Sequence, residues 1–346
     1  MANTKIPPEL VDDQVFGRRN LIINGDMKVS QRTQDTAVTS QTAAVAVHCA
    51  DRFYTELSGA TVDIQRVSDG PEGHYYSQKV TMNGAFTASA SQYVIPFETR
   101  IEGYDVQQLN YGTSGAKKLT LSFWIKSSKT GTYTVEFSNN NSGGGGKSSS
   151  QYTISSAGTW EHKTLTWVGD TTRAFENSNA NELTLFWWMV AGTTFTSGTS
   201  QQGNSWDGGT NANRAAGVAG SAADDDYWQL TGVQLEVGDV ATPFEYLGMG
   251  EQINLCERYY QIHGGPTGTH IWTGDITSGY YYYNMIDMRC QMSKAPTVTI
   301  QAAGYSGFNS INIASDSIYG IRAYVESSTT QARGYYQARY ILDAEL

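Results

Sequence analysis

The fold class of this 346-residue chain follows from the stretch LTLSFWIK, which occupies positions Leu119–Lys126. Leu, Leu, Phe and Ile alternate there with Thr, Ser, Trp and Lys, the period-two pattern of a strand with one face in a core. Similar patterns recur from Leu21–Ile23 through Thr61–Val67 to Tyr227–Glu236, with turns rich in Gly, Ser, Asn and Asp between them. Strands at this spacing without intervening helical periods predict an all-β chain, built as a sandwich or jelly roll.

The pattern changes after Pro243, which predicts a domain boundary near 247–250. We expect one β domain over 20–247 and a smaller C-terminal β-sandwich over 248–346, which serves oligomerisation or forms a tip. Short helical turns are expected at Ile101–Leu109 and from Gly250 onwards, and long loops at Asn139–Ser150 and Thr193–Asp226.

The first nineteen residues predict an extended arm, because two prolines are followed by acidic residues and no apolar period. Such an arm attaches a subunit to a larger assembly, with Pro7, Pro8 and Phe16 as the expected anchor. The alternative is an unattached tail.

Charge and cysteine usage exclude several classes of protein. The net charge is −10 and the isoelectric point about 5.0, without a basic stripe, which argues against nucleic acids and anionic membranes as partners. Cys49, Cys256 and Cys290 fit no zinc or redox spacing, and their odd number argues against a disulfide framework. Buried or unreactive thiols suit a protein assembled in a reducing cytoplasm. We also expect no signal peptide and no membrane span.

Motifs for catalysis are absent from the sequence. None of the five histidines belongs to a triad signature, and there is no long internal repeat of the kind that builds β-helical depolymerases. Paired carboxylates have no diagnostic spacing, so a glycosidase-type pair stays open as the weaker alternative. The sequence therefore predicts a protein that is not an enzyme and has no cofactor.

Aromatic side chains outside strand patterns are the candidates for glycan binding, because sugar rings stack on exposed aromatic faces. Trp206 lies in a loop of Gly and Asn without apolar neighbours, and Trp272 is a second candidate. In the run Tyr280–Tyr283 alternate rings must be exposed, which makes Tyr281 and Tyr283 candidates for a ligand or, alternatively, for subunit packing. A larger set of tryptophans lies in strand patterns and is expected in the core: Trp124, Trp167, Trp187 and Trp188.

Several segments, in this order, resemble phage and prophage structural proteins of the tail-fibre type. They are NLIINGDMKVSQR (20–32), ADRF (50–53), RIEG (100–103), LTLSFWIKSS (119–128), TGVQLEVGDVATPFE (231–245), LCERYYQ (255–261) and DAEL (343–346). The similarity spans roughly residues 20 to 346, and it is not specific for a location in the particle.

This resemblance implies a carbohydrate-binding-module-like jelly roll followed by a small β domain, in a homo-oligomeric appendage that is most commonly a trimer. The expected partners are further copies of the chain, other virion proteins and a host surface glycan, and the expected location is the exterior of a virion assembled in the host cytoplasm. Lysis releases such particles, so no secretion signal is needed.

A structural calcium ion is the cofactor alternative that the resemblance raises. Asp224, Asp225 and Asp226 form the densest acidic run, and calcium prefers several oxygen ligands. Related sugar-binding jelly rolls carry a Glu where this chain has Lys28, and an acidic pair where it has Thr231 and Gly232. Both departures argue against the ion, so no metal is predicted.

Two functions of different classes remain. One is a tail fibre or similar appendage that attaches the particle to host glycans. The other is a purely architectural subunit, such as a head decoration, head fibre or tail adaptor, whose sandwich only packs against neighbours. A glycan-cleaving tailspike is the weaker third alternative.

Overall fold

The computed structural model describes residues 18–42, 47–140, 145–265 and 269–346. The chain divides between Leu247 and Gly248 into two compact units. Nearly all of the regular structure is β, so the predicted all-β fold class is confirmed. The part of the predicted arm that contains Pro7, Pro8 and Phe16 lies outside the described residues.

The elements of unit 1 are β1 Val38–Gln41, β2 Val47–His48, β3 Tyr54–Ser58, β4 Val62–Val67, β5 Ser77–Met82, β6 Phe86–Thr87, β7 Tyr93–Glu102, β8 Leu119–Ser127, β9 Gly131–Asn139, β10 Gly146–Ile154, β11 Glu161–Trp167, β12 Asn181–Trp188, β13 Val190–Ala191, α1 Thr193–Thr196, β14 Ser221–Ala222 and β15 Tyr227–Val237. Those of unit 2 are α2 Met249–Glu257, β16 Tyr260–His263, β17 Thr269–Ile276, β18 Tyr281–Asp287, β19 Thr297–Ser306, β20 Phe308–Asp316, β21 Gly320–Ser327 and β22 Gln331–Asp343. Short 3₁₀ turns span Gly103–Asp105, Gln107–Leu109 and Asn211–Asn213.

Unit 1 is a sandwich of two antiparallel sheets. Sheet A has the strand order β1-β4-β5-β15-β8-β11, and sheet B has the order β10-β9-β12-β7-β3-β2, with β13 also paired to β7. The inward side chains of both sheets form one core, to which Phe123 of β8 and Trp187 of β12 contribute an edge-to-face ring pair at 5.8 Å. Trp167 and Trp187 are fully buried, as predicted from their strand patterns.

Unit 2 is a smaller sandwich, which confirms the second part of the fold prediction. One sheet has the order β16-β22-β17 with β19 also on β22, and the other has the order β18-β21-β20. Ile286 and Ile321 from the second sheet pack in one core with Tyr340 and Leu342 from β22. Of the helices in the described part of the chain, none is long and apolar enough to cross a bilayer.

The structure corrects two local predictions. Leu21–Ile23 forms a buried turn and not a strand, because Asn24 and Met27 adopt left-handed conformations with φ of 60° and 58°. The predicted loop Asn139–Ser150 is shorter, since Gly146–Ser150 pairs with β9 as the return strand of a hairpin. The three cysteines are free, as expected.

A bulge in β15 shapes the outer face of sheet A. Thr231 pairs with Trp124 of β8 and Gln234 with Ser122, so two residues, Gly232 and Val233, oppose the single Phe123. The extra residue resets the alternation, which is the effect of a β-bulge. Leu230 and Val233 can therefore both face the core although they are three positions apart.

The turn over residues 20–25 covers this bulge. Val233 N donates to Gly25 O at 2.8 Å, and Leu21 N donates to Leu235 O at 2.9 Å. The Asn20 side chain accepts from Leu235 N at 3.0 Å and donates to Val233 O at 3.0 Å. The pairing of β15 with β5 ends at Leu230, so the N-terminal turn satisfies the backbone groups of Val233 and Leu235 beyond that point.

We predict that Asn20→Ala lowers the free energy of unfolding by about 3 kcal/mol, because it leaves buried backbone groups of β15 without partners. Urea denaturation of both proteins measures the change. Asn177→Ala is the control, since this exposed residue makes no side-chain hydrogen bond among the described residues. An equal effect of the two substitutions would contradict the assignment of Asn20.

Candidate functional site

A cleft of about 520 Å³ opens on the outer face of sheet A. Strands β8, β11 and β15 contribute to it, together with the turn between β4 and β5 and the segment after β15. Its lining consists of Glu72, His74, Ser122, Trp124, His162, Gly232, Ala241, Thr242, Pro243, Phe244 and Tyr246.

Trp124 reaches this cleft because of the alternation in β8. Leu121, Phe123 and Ile125 are fully buried in the core, so the side chains between them lie on the opposite face. The prediction that Trp124 belongs to the core is therefore wrong: its ring is half-buried and lines the cleft. His162 is its cross-strand neighbour on β11, with the ring centroids 5.0 Å apart.

Glycine at position 232 is required by both the bulge and the cleft. Its φ of +59° lies in the left-handed region, where a side chain is strained. A Cβ here would also lie 2.8 Å from His74 Nε2 and 2.9 Å from Trp124 Cδ1. The missing side chain leaves the space in which these two rings approach the strand.

A second group of rings forms the other wall of the cleft. His74 meets Phe244 edge to face at 4.9 Å and lies 5.7 Å from Tyr246, which is itself 5.0 Å from Phe244. Tyr246 is 55% exposed, so part of its ring is accessible to a ligand. The Lys28 ammonium lies 5.5 Å from the centroid of the same ring.

Buried side chains of β15 hold this wall in place. Gln234 accepts from Glu245 N at 2.7 Å and donates to the Thr242 and Pro243 carbonyls at 3.1 and 3.3 Å. Glu236 accepts from Thr242 N at 3.0 Å. Both side chains lie on the outer face because the bulge shifts the alternation. The bulge therefore determines which side chains of β15 are available to hold the aromatic wall.

Two histidines line the cleft, and burial lowers the pKa of both. Burial lowers the pKa of His74, against the opposing effect of Asp26 and with smaller contributions from Lys28 and His162. Burial also lowers the pKa of His162. Both imidazoles are therefore neutral at pH 7 and can donate or accept hydrogen bonds. The buried Nδ1 of His74 has no partner among the described residues.

The residues predicted from the sequence lie elsewhere. Trp206 is half-buried and packs against the core of unit 1, with its indole donating to Val168 O at 2.7 Å and Tyr111 edge-on at 5.6 Å. The expectation that nothing apolar surrounds it is wrong, because the long loop folds back onto the sandwich. Its proposed role in ligand binding remains a prediction.

The other aromatic candidates belong to unit 2. Trp272 lies in β17, where its backbone pairs with Tyr336, and its side chain is outside the described part. Tyr281 and Tyr283 are 52% and 54% exposed on one face of β18, while Tyr282 points to the other face. The predicted alternation holds from Tyr281 to Tyr283, but Tyr280, which precedes the strand, is 64% exposed as well. The function of the exposed rings remains a prediction.

The acidic run Asp224–Asp226 forms a turn. The Asp224 carboxylate accepts from Gly84 N at 2.6 Å, and that of Asp226 accepts from Ala223 N at 2.8 Å and from Ser128 Oγ at 3.0 Å. Within the described residues, no three His, Cys, Asp or Glu side chains are arranged to hold a metal ion. The side chains of Asp224 and Asp226 are thus engaged in local hydrogen bonds.

The sequence interpretation missed the cleft because its residues come from separate segments. One usable signal was present: apolar residues of β15 fall at 228, 230, 233 and 235, a break in phase that coincides with Gly232. The aromatic wall at Phe244 and Tyr246 lies at the end of the segment that carries the family resemblance and next to the predicted domain boundary, and neither interpretation indicates a binding site.

Together these features define the class: an all-β protein whose first unit is a β-sandwich with an aromatic-lined cleft on one sheet. No family model matches the chain, and no curated protein matches it either.

Among solved structures, the chain is similar to the enzymatically active domain of tailspike protein 4 from bacteriophage CBA120, at 11% identity and a TM-score of 0.31. That match covers 63% of this chain and 21% of the tailspike chain. It is also similar to the CBM22-1 xylan-binding domain of Paenibacillus barcinonensis Xyn10C, at 8% identity and a TM-score of 0.27, over 59% of this chain and 94% of that one. The module TmCBM61, in complex with β-1,4-galactotriose, matches at 7% identity and a TM-score of 0.32, over 64% of this chain and 99% of that one. Likenesses of this strength carry no functional argument.

We predict that Gly232→Ala destabilises the protein by about 1–3 kcal/mol and displaces the rings of His74 and Trp124, because the new Cβ requires a strained conformation and contacts both. Thermal unfolding and the NMR shifts of the two rings report these effects. Gly115→Ala is the control, since its Cβ would meet nothing closer than 3.6 Å. Unchanged ring shifts in Gly232→Ala would contradict the description of the cleft.

Proposed function

We propose that unit 1 is a glycan-binding module and that the cleft beside Trp124 holds the sugar. One observation carries this proposal: Trp124 and Tyr246 present partly exposed rings to a single cleft that also contains neutral imidazoles and a hydroxyl. Aromatic faces bind the apolar faces of sugar rings, while a few convergent polar groups bind hydroxyls and fix orientation.

The cleft supports binding in preference to catalysis. Glu72 is the single carboxylate in its described lining, whereas glycosidases use two that flank the bond they cleave. Glu98 of β7 has a pKa raised to about 7 by burial, against Arg100 and together with Glu56, but it is only 1% exposed and does not line the cleft. We therefore propose a protein that is not an enzyme.

We further propose that the chain is a subunit of a phage appendage that attaches the particle to host surface glycans. The ordered segments between residues 20 and 346 that resemble tail-fibre-type proteins support this placement. Cryo-electron microscopy of the whole particle tests it, and density for the chain on the exterior of the virion is the expected result.

We predict that Trp124→Ala and Tyr246→Ala each weaken binding of a neutral oligosaccharide by about fivefold, which corresponds to about 1 kcal/mol for the loss of one stacking face. A glycan array of host surface polysaccharides identifies the ligand, and titration calorimetry measures its Kd. Tyr104→Ala is the matched control, since this ring is 54% exposed and lies outside the cleft.

One outcome would contradict the proposed glycan binding. If the wild-type chain binds no glycan at micromolar concentration but is incorporated tightly into particles, the purely architectural function replaces it.

A specific observation favours the architectural alternative as a second role. Tyr281, Tyr283 and Met285 form an exposed stripe along one face of β18, and Tyr324 of the neighbouring β21 lies 5.7 Å from both tyrosine rings. We propose that this stripe packs against another copy of the chain, because exposed aromatic and Met side chains are enriched in interfaces.

The double substitution Tyr281→Ser and Tyr283→Ser is predicted to lower the mass of the assembly, because it removes the apolar surface that would be buried between copies. Multi-angle light scattering measures the mass of the full chain. Tyr319→Ser, at a 66% exposed position in a turn of the same unit, should leave the mass unchanged. An unaltered oligomer in the double variant would refute the proposed contact.

A further inference from the structure

A second cleft, of about 490 Å³, lies on the outer face of sheet B and so on the sheet opposite to the first. Strands β9, β10 and β12 contribute to it, together with the long segment after α1. Its described lining consists of Ser138, Asn139, Asn140, Gly145, Lys147, Phe186, Gly208, Gly209 and Arg214.

Two cations in this cleft share one buried carboxylate. Glu136 is fully buried, and it accepts from Arg214 Nε at 2.9 and 3.0 Å and from the Trp188 indole at 2.7 Å. The ammonium of Lys147 is 4.0 Å from the nearest Glu136 oxygen, which is beyond hydrogen-bond distance. Glu136 thus accepts hydrogen bonds from Arg214 but not from Lys147.

The other nearby carboxylate is already saturated. Asp207 accepts from Gln201 Nε2 and Asn213 Nδ2 on one oxygen, at 2.5 and 3.0 Å, and from the Gly209 and Thr210 amides on the other, at 2.7 and 3.1 Å. The hydrogen bonds of its carboxylate thus stay within the segment 201–213, although its charge still opposes the lowering of the Lys147 pKa by burial. Within the described residues, Lys147 Nζ and the two Nη atoms of Arg214 make no hydrogen bond, so donors of both cations remain for a ligand.

Partial burial makes the charge of Lys147 costly. Burial lowers the pKa of Lys147, and the Arg214 guanidinium lowers it further, against Glu136 and Asp207. Half-desolvated cations that repel each other are stabilised by an anion between them. The cleft therefore favours a ligand with a negative charge.

The remaining lining is suited to a sugar ring and not only to a small ion. Phe186 presents a half-buried ring, with the Arg214 guanidinium 5.7 Å from its centroid. Ser138 and Asn140 add a hydroxyl and an amide to the rim. Gly208 and Gly209 carry no side chains that would fill the space, and a Cβ at Gly209 would come within 3.9 Å of Lys147 Cε.

We propose that this second cleft binds the carboxylate of an acidic sugar, with Lys147 and Arg214 as its charged ligands and Phe186 as the stacking face for the ring. The inference extends the proposed glycan-binding function to a ligand class, polysaccharides that contain uronic or sialic acids. It concerns residues that the first cleft does not share.

The test uses the full chain and three acidic oligosaccharides, which contain galacturonate, glucuronate or N-acetylneuraminate, each with its methyl ester. Titration calorimetry at low salt should show binding of at least one acid and at least tenfold weaker binding of the matching ester, which keeps the ring but lacks the charge. This comparison requires no variant. Equal affinities of acid and ester, or no binding of any acid, would overturn the proposal.

Substitution then locates the site. Lys147→Gln should weaken binding of the acid at least tenfold, while Lys163→Gln, at an ion-paired position on sheet A, should not. The variant Trp124→Ala/Tyr246→Ala should keep its affinity for the acid, so failure of the first cleft is distinguishable from failure of the second. Unchanged binding by Lys147→Gln, or inorganic sulfate that binds as tightly as the acidic sugar, would refute the site.

Discussion

The irregularity at Gly232 and Val233 in β15 is the constraint on which the rest of unit 1 depends. Beyond Leu230, β15 has no further pairing with β5, and its buried backbone groups there need other partners. The turn over residues 20–25 supplies them through Asn20 and Gly25. The N-terminal turn and β15 are therefore a single structural element, although more than 200 positions separate them in the sequence.

The same bulge connects the core to the cleft. Before it, Trp228 and Leu230 face the core, and after it Val233 and Leu235 do so, while Gln234 and Glu236 turn outward. These two polar side chains hold the segment that carries Phe244 and Tyr246. Without the extra residue the alternation would place Gln234 in the core, where an amide without partners is unfavourable. Trp228 and Leu230 can share the core with Val233 and Leu235 only because the bulge shifts the alternation between them.

Sequence patterns predicted the fold better than they predicted the site. Alternation is a local property, so it was sufficient to predict most of the strands, the two sandwiches and the exposure of Tyr281 and Tyr283. Residue type was misleading: Trp124 has the size and apolarity of a core residue, but its phase in β8 places it outside. Trp206 was misjudged for the opposite reason, since its polar neighbours in sequence do not reveal that the loop returns to the core.

Both clefts depend on contacts between residues distant in sequence, which no local pattern predicts. His74 meets Phe244 across some 170 positions, and Arg214 meets Glu136 across 78. The first cleft combines neutral imidazoles with aromatic faces. In the second cleft, two cations lie beside a buried carboxylate. The two clefts on opposite sheets therefore differ in the ligand chemistry that we propose for them.

The central claim is that the bulge of β15 builds a sugar-binding cleft on sheet A. It is tested most directly by NMR of the isotopically labelled chain during titration with a neutral oligosaccharide that it binds. The account predicts that the Gly232 amide, the Trp124 indole and the His74 ring shift together and saturate with one Kd. Shifts that leave these three signals unchanged and appear elsewhere in the chain would contradict it.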